Sequence, residues 1–178
     1  AEVGTIAVTS GGFGLDSDIG FDDTMWIAYA DSTVGDHEVK LSTCSSGCGT
    51  FGNWQQVTIS DLGDVSTANA SLAIDLGLDG SVHVAHNNLA SGLHYSSCSS
   101  GCTSVSSWTT EEILATYDTG VLDIAVGPDL SIVIMAGTAD GIHTLHKSGG
   151  VWVYTEQSDQ GGSDWIGVEL TDHGQMWG

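Results

Sequence analysis

Apolar and polar positions alternate with a period of two along most of the chain. The alternating runs are short: "MWIAYAD", "EVKLSTC", "SLAID", "SVHVAH", "GLHYSSC", "LDIAV" and "SIVIMAG". Clusters of Gly, Asn, Asp and Ser separate them. This pattern predicts short half-buried strands joined by tight turns, and helical spacing is nearly absent. Thr109-Thr-Glu-Glu112 before Ile113 and Leu114 has the form of a capping box. Its register with "WQQVTIS" argues for a strand instead.

The runs recur. "STCSSGCGTFGNW" (Ser42 to Trp54) returns 54 residues later as "SSCSSGCTSVSSW" (Ser96 to Trp108). "DDTMWIAYAD" aligns with "LDGSVHVAHNN", and "NWQQVTIS" with "SWTTEEIL". A third unit lacks the cysteines but keeps the rhythm in "VLDIAVGPDLSIVIMAG", "GIHTLHK" and "VWVYTEQ". A fourth opens with "WIGVELTDHGQMWG". Units of this length with four strands each predict an all-β fold, a β-propeller of four-stranded antiparallel blades. The units run over about residues 19–61, 70–115 and 120–157, with a partial fourth at 164–178. "GTIAVTS" (Gly4 to Ser10) reads as an outermost strand that could close the fourth blade. That blade would still lack its third strand and leave open edges, which favour pairing with another chain. The expectation is a homo-oligomer or a fragment of a longer propeller.

A chain of 178 residues suits one domain with a sizeable core. Its charge narrows the partners. Twenty-three acidic residues face two lysines and no arginine, a formal net charge of −21. Nucleic acid and anionic membrane surfaces would be repelled. No apolar run is long enough to insert in a membrane as a helix. The first residues, Ala1-Glu-Val, would fit a mature end left by signal cleavage. No cofactor is called for, although so many carboxylates would suit Ca²⁺.

The cysteines fall in two C-x-x-x-C pairs at equivalent points of neighbouring units. One shared zinc site would need all four within a few ångströms, whereas packed sheets stand about 10 Å apart. Local disulfides Cys44–Cys48 and Cys98–Cys102 are the better reading. They imply an oxidising setting, secreted or at the cell surface. Trp54 and Trp108 follow each loop at the same offset. They would pack over the turn or, alternatively, offer a platform for a sugar ring.

The pattern "SLAID…DGSVHVAH…GLHYSSCSSGCTSVSSWTTEEI" resembles a repeat of secreted bacterial proteins with sialidase-like (BNR-like) propellers. The resemblance implies the fold rather than an activity, because such propellers serve enzymes, lectins and scaffolds alike. The chain departs from sialidase enzymes in two ways. It has no S-x-D-x-G-x-x-W box, and without arginine it cannot form their carboxylate-binding cluster.

Few residues point to chemistry. His83 and His86, three apart on one strand, face opposite sides, as do His143 and His146. His86 and His94 would stand opposite each other across a hairpin turning about Ala90. Tyr29 and Lys40 are the equivalent pair one unit earlier. A His pair could help hold a transition metal given a third ligand; otherwise it is a cross-strand pair on a blade face. Carboxylates are plentiful, Asp22, Asp23, Asp75, Asp79, Glu111, Glu112, Asp123, Asp129, Glu169 and Asp172 among them, and several sit at expected turns between first and second strands. No spacing singles out an acid and a base among them. The expected function is therefore non-enzymatic binding or adhesion to a glycan or a protein surface, with Tyr29, Trp54, His86, His94 and Trp108 as candidate contacts. The alternatives are a glycan-cleaving enzyme and an acidic cation-binding surface protein. Any sugar bound should be neutral, since no arginine can form a bidentate pair with a carboxylated one.

Overall fold

The computed structural model describes residues 14–31, 38–61, 71–88, 92–115, 119–138, 141–148, 150–158, 166–170 and 176–177. They form three four-stranded antiparallel sheets, each a simple meander. The first holds β1 (Leu15–Ile19), β2 (Met25–Asp31), β3 (Glu38–Cys44) and β4 (Gln55–Asp61). The second holds β5 (Leu72–Leu76), β6 (Val82–Asn88), β7 (Gly92–Cys98) and β8 (Thr109–Leu114). The third holds β9 (Thr119–Val126), β10 (Ile132–Thr138), β11 (Ile142–Ser148) and β12 (Val151–Ser158). A two-stranded sheet of β13 (Glu169–Leu170) and β14 (Met176–Trp177) follows. The only helical turns among the described residues are 3₁₀ turns at Phe51–Asn53 and Val105–Ser107, each just before a repeat tryptophan. Thr109–Leu114 is the strand its register called for. Gly4 to Ser10, read as a closing strand, lies outside the described residues.

The sheets stack face to face, and alternation assigns their faces. Ala28, Ala30, Leu41 and Val57 of the first sheet meet Leu72, Ile74, Val82 and Val84 of the second in one buried cluster. Ala73, Ala85, Leu93 and Tyr95 of the second meet Ile124, Ile134, Ala136 and Leu145 of the third in another. The second sheet is therefore buried on both faces. This explains why β6 reads as nearly continuous small, apolar and imidazole residues.

The first strand of each sheet is an edge whose outward N–H groups have no strand to pair with. Aspartates of the preceding sheet supply the acceptors. Asp16 accepts from Ile74 N at 2.9 Å, and Asp18 accepts from Leu76 N at 3.1 Å. Asp75 accepts from Val126 N at 2.6 Å, and Asp123 accepts from Val168 N at 2.5 Å. Asp75 and Asp123 thus bridge successive sheets rather than form turns. Asp22, Asp79 and Asp129 do form turns: each Oδ1 accepts the N–H two residues on, from Thr24, Ser81 and Ser131. We expect Asp123→Ala to cost about 1 kcal/mol, the usual effect of losing a hydrogen bond to a part-buried donor. Chemical denaturation would measure it, and faster amide exchange at Val168 would locate it.

Both disulfides form, Cys44–Cys48 and Cys98–Cys102, with Cα–Cα distances of 5.7 Å. No free cysteine remains. Their settings differ. Cys98 and Cys102 are 2% and 7% exposed and belong to the core cluster between the first two sheets. Cys44 is just as buried, at 2% exposed, but belongs to neither cluster, and Cys48 is half-buried. Loop closure alone gives a bridge of this size about 2 kcal/mol. Replacing either pair by alanine should cost more than that, because Cys44 and Cys98 are both buried, and replacing Cys98 and Cys102 should cost the most, because both of its sulfurs leave a cavity. Urea titrations of the two double variants would rank them.

Candidate functional site

The loop motif is rebuilt in the third sheet. Cys98 stands opposite Val82 at the start of β6, and Lys147 stands opposite Ile132 at the start of β10. Lys147 therefore takes the place of Cys98, and of Cys44 opposite Met25. Trp152, paired with Lys147, takes the place of Trp108 and Trp54. Those two donate their indole N–H to the loop carbonyls of Cys102 and Cys48, both at 2.9 Å. The third unit has no cysteine loop, so the Trp152 N–H turns instead to Glu111 Oε1 at 3.2 Å.

The facing sheet changes to match. Across the crevice from Cys98 and Trp108 stand Trp26, Leu41 and Val57 of the first sheet, an apolar wall. The positions equivalent by register on the second sheet are His83, Tyr95 and Glu111. Lys147 Nζ forms an ion pair with Glu111 Oε1. It lies 4.7 Å from the Tyr95 ring centre and 5.3 Å from that of Trp152. The two rings meet edge to face at 5.3 Å and 72°. One seam between sheets is hydrophobic; the next holds a cation, a carboxylate and two aromatic rings.

A hydrogen-bonded chain fixes the floor. Tyr95 Oη lies 2.5 Å from His83 Nδ1, His83 Nε2 lies 2.7 Å from Ser81 Oγ, and Ser81 donates to Asp79 Oδ1 at 2.5 Å. Because Ser81 donates to the carboxylate, its oxygen accepts from His83 Nε2–H, and Nδ1 accepts from the tyrosine. Burial holds His83 neutral by lowering its pKa to about 4. Burial likewise raises Tyr95 to about 12, so the phenol keeps its proton. The cluster meets solvent at Glu111, whose side chain is 43% exposed, while Tyr95 is 3% exposed beneath it.

The residues singled out in the sequence do not gather at this site. His86 and His94 stand opposite each other, as the hairpin register requires. Their rings stack 5.5 Å apart and 10° from parallel on the face turned to the first sheet. In-plane lone pairs of rings stacked this way do not aim at a common ion. His86 is fully buried, donates or accepts at Ser96 Oγ over 3.0 Å, and is pushed down to about 3 by burial. Its Nδ1 lacks a hydrogen-bond partner. Tyr29, 2% exposed, lies on the far face of the first sheet beside Lys40. Lys40 is held there by Asp31 at 2.5 Å and Glu38 at 2.8 Å. Trp54 and Trp108 are half-buried with their N–H groups engaged within the loops. Among the described residues, no three His, Cys, Asp or Glu side chains come together as metal ligands, and no helix is long and apolar enough to cross a membrane.

No known protein family matches the chain, and no curated protein matches it in sequence. Solved structures do share its fold. The crystal structure of AofleA from Arthrobotrys oligospora superposes with a TM-score of 0.63 at 12% identity, over 91% of this chain and 47% of that one. A fucose lectin from Kordia zhangzhouensis, solved with methyl-fucoside, superposes with a TM-score of 0.51 at 10% identity, over 80% of this chain and 97% of that one. The chain thus spans about half the length of AofleA and nearly all of the Kordia lectin. Its all-β fold of stacked four-stranded sheets is one that a carbohydrate-binding protein also uses.

Proposed function

We propose that the protein is an extracellular, non-enzymatic carbohydrate-binding module of β-propeller type, and that it holds a neutral sugar in the crevice between the second and third sheets. One observation carries this reading. Lys147, Tyr95 and Glu111 replace Cys98, Leu41 and Val57 together, turning an apolar seam into a polar, aromatic one. Sugars need this combination: hydroxyls that accept from an ammonium and donate to a carboxylate, and C–H faces that rest on aromatic rings. Lys147 and Glu111 neutralise each other, so the site favours hydroxyls over a charged ligand. Methyl-fucoside, the ligand of the Kordia lectin, is neutral and is the first sugar to test.

Calorimetric titration against a panel of neutral glycosides and one sialoside tests the proposal. A neutral glycoside should bind, and Glu111→Gln and Trp152→Ala should each weaken it at least about tenfold. Binding that ignores both substitutions, or a preference for the sialoside that depends on its carboxylate, would overturn it.

We also propose that the ring is completed by further sheets, from a second copy or from a longer chain. Leu15 and Ile19 of β1 are 65% and 60% exposed, whereas Leu72, at the position equivalent to Leu15 in β5, is 6% exposed. Light scattering should give a mass above that of one chain, unless the remaining sheets belong to the same polypeptide. A monodisperse monomer whose Leu15 is shielded within its own fold would sink the idea.

A further inference from the structure

A second recess lies on the face that carries the turns between the first and second strands. It is a groove of about 270 Å³ between the β1–β2 turn and the β5–β6 turn. Phe21, Trp26, Leu76 and Leu78 give it an apolar lining. Phe21 is 79% exposed and Leu78 57% exposed, so both side chains are accessible to a ligand. Asp22 and Asp79 stand at the rim. The Thr24 N–H holds the Asp22 carboxyl below its usual range, and the Ser81 hydroxyl and N–H do the same for Asp79. Both are therefore ionised across the physiological range.

The chain's own repeats show that the groove is a feature of one interface. The three turns align as Gly20-Phe-Asp-Asp, Gly77-Leu-Asp-Gly and Gly127-Pro-Asp-Leu. Their fourth residues, Asp23, Gly80 and Leu130, share left-handed φ angles of 61°, 82° and 60°. In the third turn, Leu130 leans back over Gly77, with Cδ2 3.1 Å from where a β-carbon on that glycine would sit. Leu130 so covers the corresponding place between the second and third sheets. In the second turn the fourth residue is Gly80, which has no side chain to do this, and the groove over Gly20 stays open.

We propose that this groove binds an alkylated ammonium group, a small organic cation with an apolar shell. Aromatic faces attract such a cation and suit its methyl groups, and two carboxylates at the rim match its charge. The field of a chain carrying −21 draws cations toward it. Phosphocholine, which shares the head but carries a phosphate, is disfavoured by the same field.

The test uses the whole chain and four probes: choline, trimethyllysine, phosphocholine and 3,3-dimethylbutan-1-ol, the neutral carbon isostere of choline. NMR titration should show choline and trimethyllysine perturbing residues 20–26 and 76–80. The isostere should bind at least about threefold more weakly, the scale of a cation–π contact at an exposed ring. Gly80→Leu, which copies Leu130, should close the groove and abolish binding. Phe21→Ala, at an exposed position, should weaken it at least about twofold. Glu111→Gln should leave choline affinity unchanged, so this site and the sugar crevice fail separately. Equal affinity for choline and its isostere, no perturbation by choline, or choline binding untouched by Phe21→Ala would each overturn the proposal.

Discussion

Trp108→Ala is expected to cost about 3–5 kcal/mol, the range for truncating a large aromatic side chain in a core. The ring packs against the cluster that joins the first two sheets, beside Cys98 and Cys102. Removal would open a cavity where the sheets meet and leave the Cys102 carbonyl without its 2.9 Å indole donor. Trp108→Phe separates the two contributions: it keeps most of the volume and should cost about 1–2 kcal/mol through the lost hydrogen bond and the smaller ring. Trp54 makes the same bond to Cys48, but it is not part of either described core cluster. Trp54→Ala should therefore cost less, about 2 kcal/mol, from that bond and the surface of a half-buried ring. Denaturant unfolding of the three variants measures all of this. If Trp54 and Trp108 truncations cost the same, the two cysteine loops are equivalent in packing, and the distinction drawn from the core cluster is wrong.

The repeat made much of this legible in advance. Cysteine and tryptophan spacing fixed which strands correspond, and hairpin register is local, so the His86–His94 pairing followed from the residues between them. The strand β1 did not stand out. "LDSDI" looks like a loop because its polar positions carry aspartate. Those aspartates are explained only by the edge strand of the next sheet, whose N–H groups they cap. The sugar crevice was hidden for the same reason. Lys147 could have been found by aligning Trp152 with Trp54 and Trp108 and asking what stands at the cysteine position. That Tyr95 and Glu111 receive it depends on how one sheet lies over another, and no local pattern encodes that. Trp54 and Trp108 drew notice as conspicuous aromatics, yet the loop they follow already engages their polar atoms. The third tryptophan, freed of a loop, is the one whose N–H reaches the site.

The stability of the fold should peak near pH 6.5 and fall on acidification, and the buried titrating groups set both sides. Burial lowers His83 to about 4 and His86 to about 3, from 6.5. The unfolded chain therefore binds two protons that the folded one refuses between about pH 6.5 and 4, and stability is lost as pH falls through that window. Asp75 works in the opposite sense. Burial, with the Asp18 carboxyl beside it, raises it from 3.8 to about 7. Its contribution is fully present below 3.8 and is lost as pH rises through about 7. The folded chain thus retains one proton that offsets one of the two. Burial raises Asp123 in the same sense, so the net is one proton or less, at most about 1.4 kcal/mol per pH unit and about 3 kcal/mol between pH 6.5 and 4. Urea unfolding in about 0.5 M salt, which screens the surface carboxylates, should show this slope. Two variants pull the terms apart. His86→Leu removes a buried ring with an unpartnered nitrogen and should nearly flatten the acid side. Asp18→Asn removes the charge beside Asp75, lets that carboxyl ionise earlier, and should steepen the acid side while stabilising the fold above pH 7. An acid side that His86→Leu leaves as steep as before would mean that the histidine is not buried between the first two sheets as described, and an Asp18→Asn curve identical to the parent's would mean that the two aspartates do not share their site.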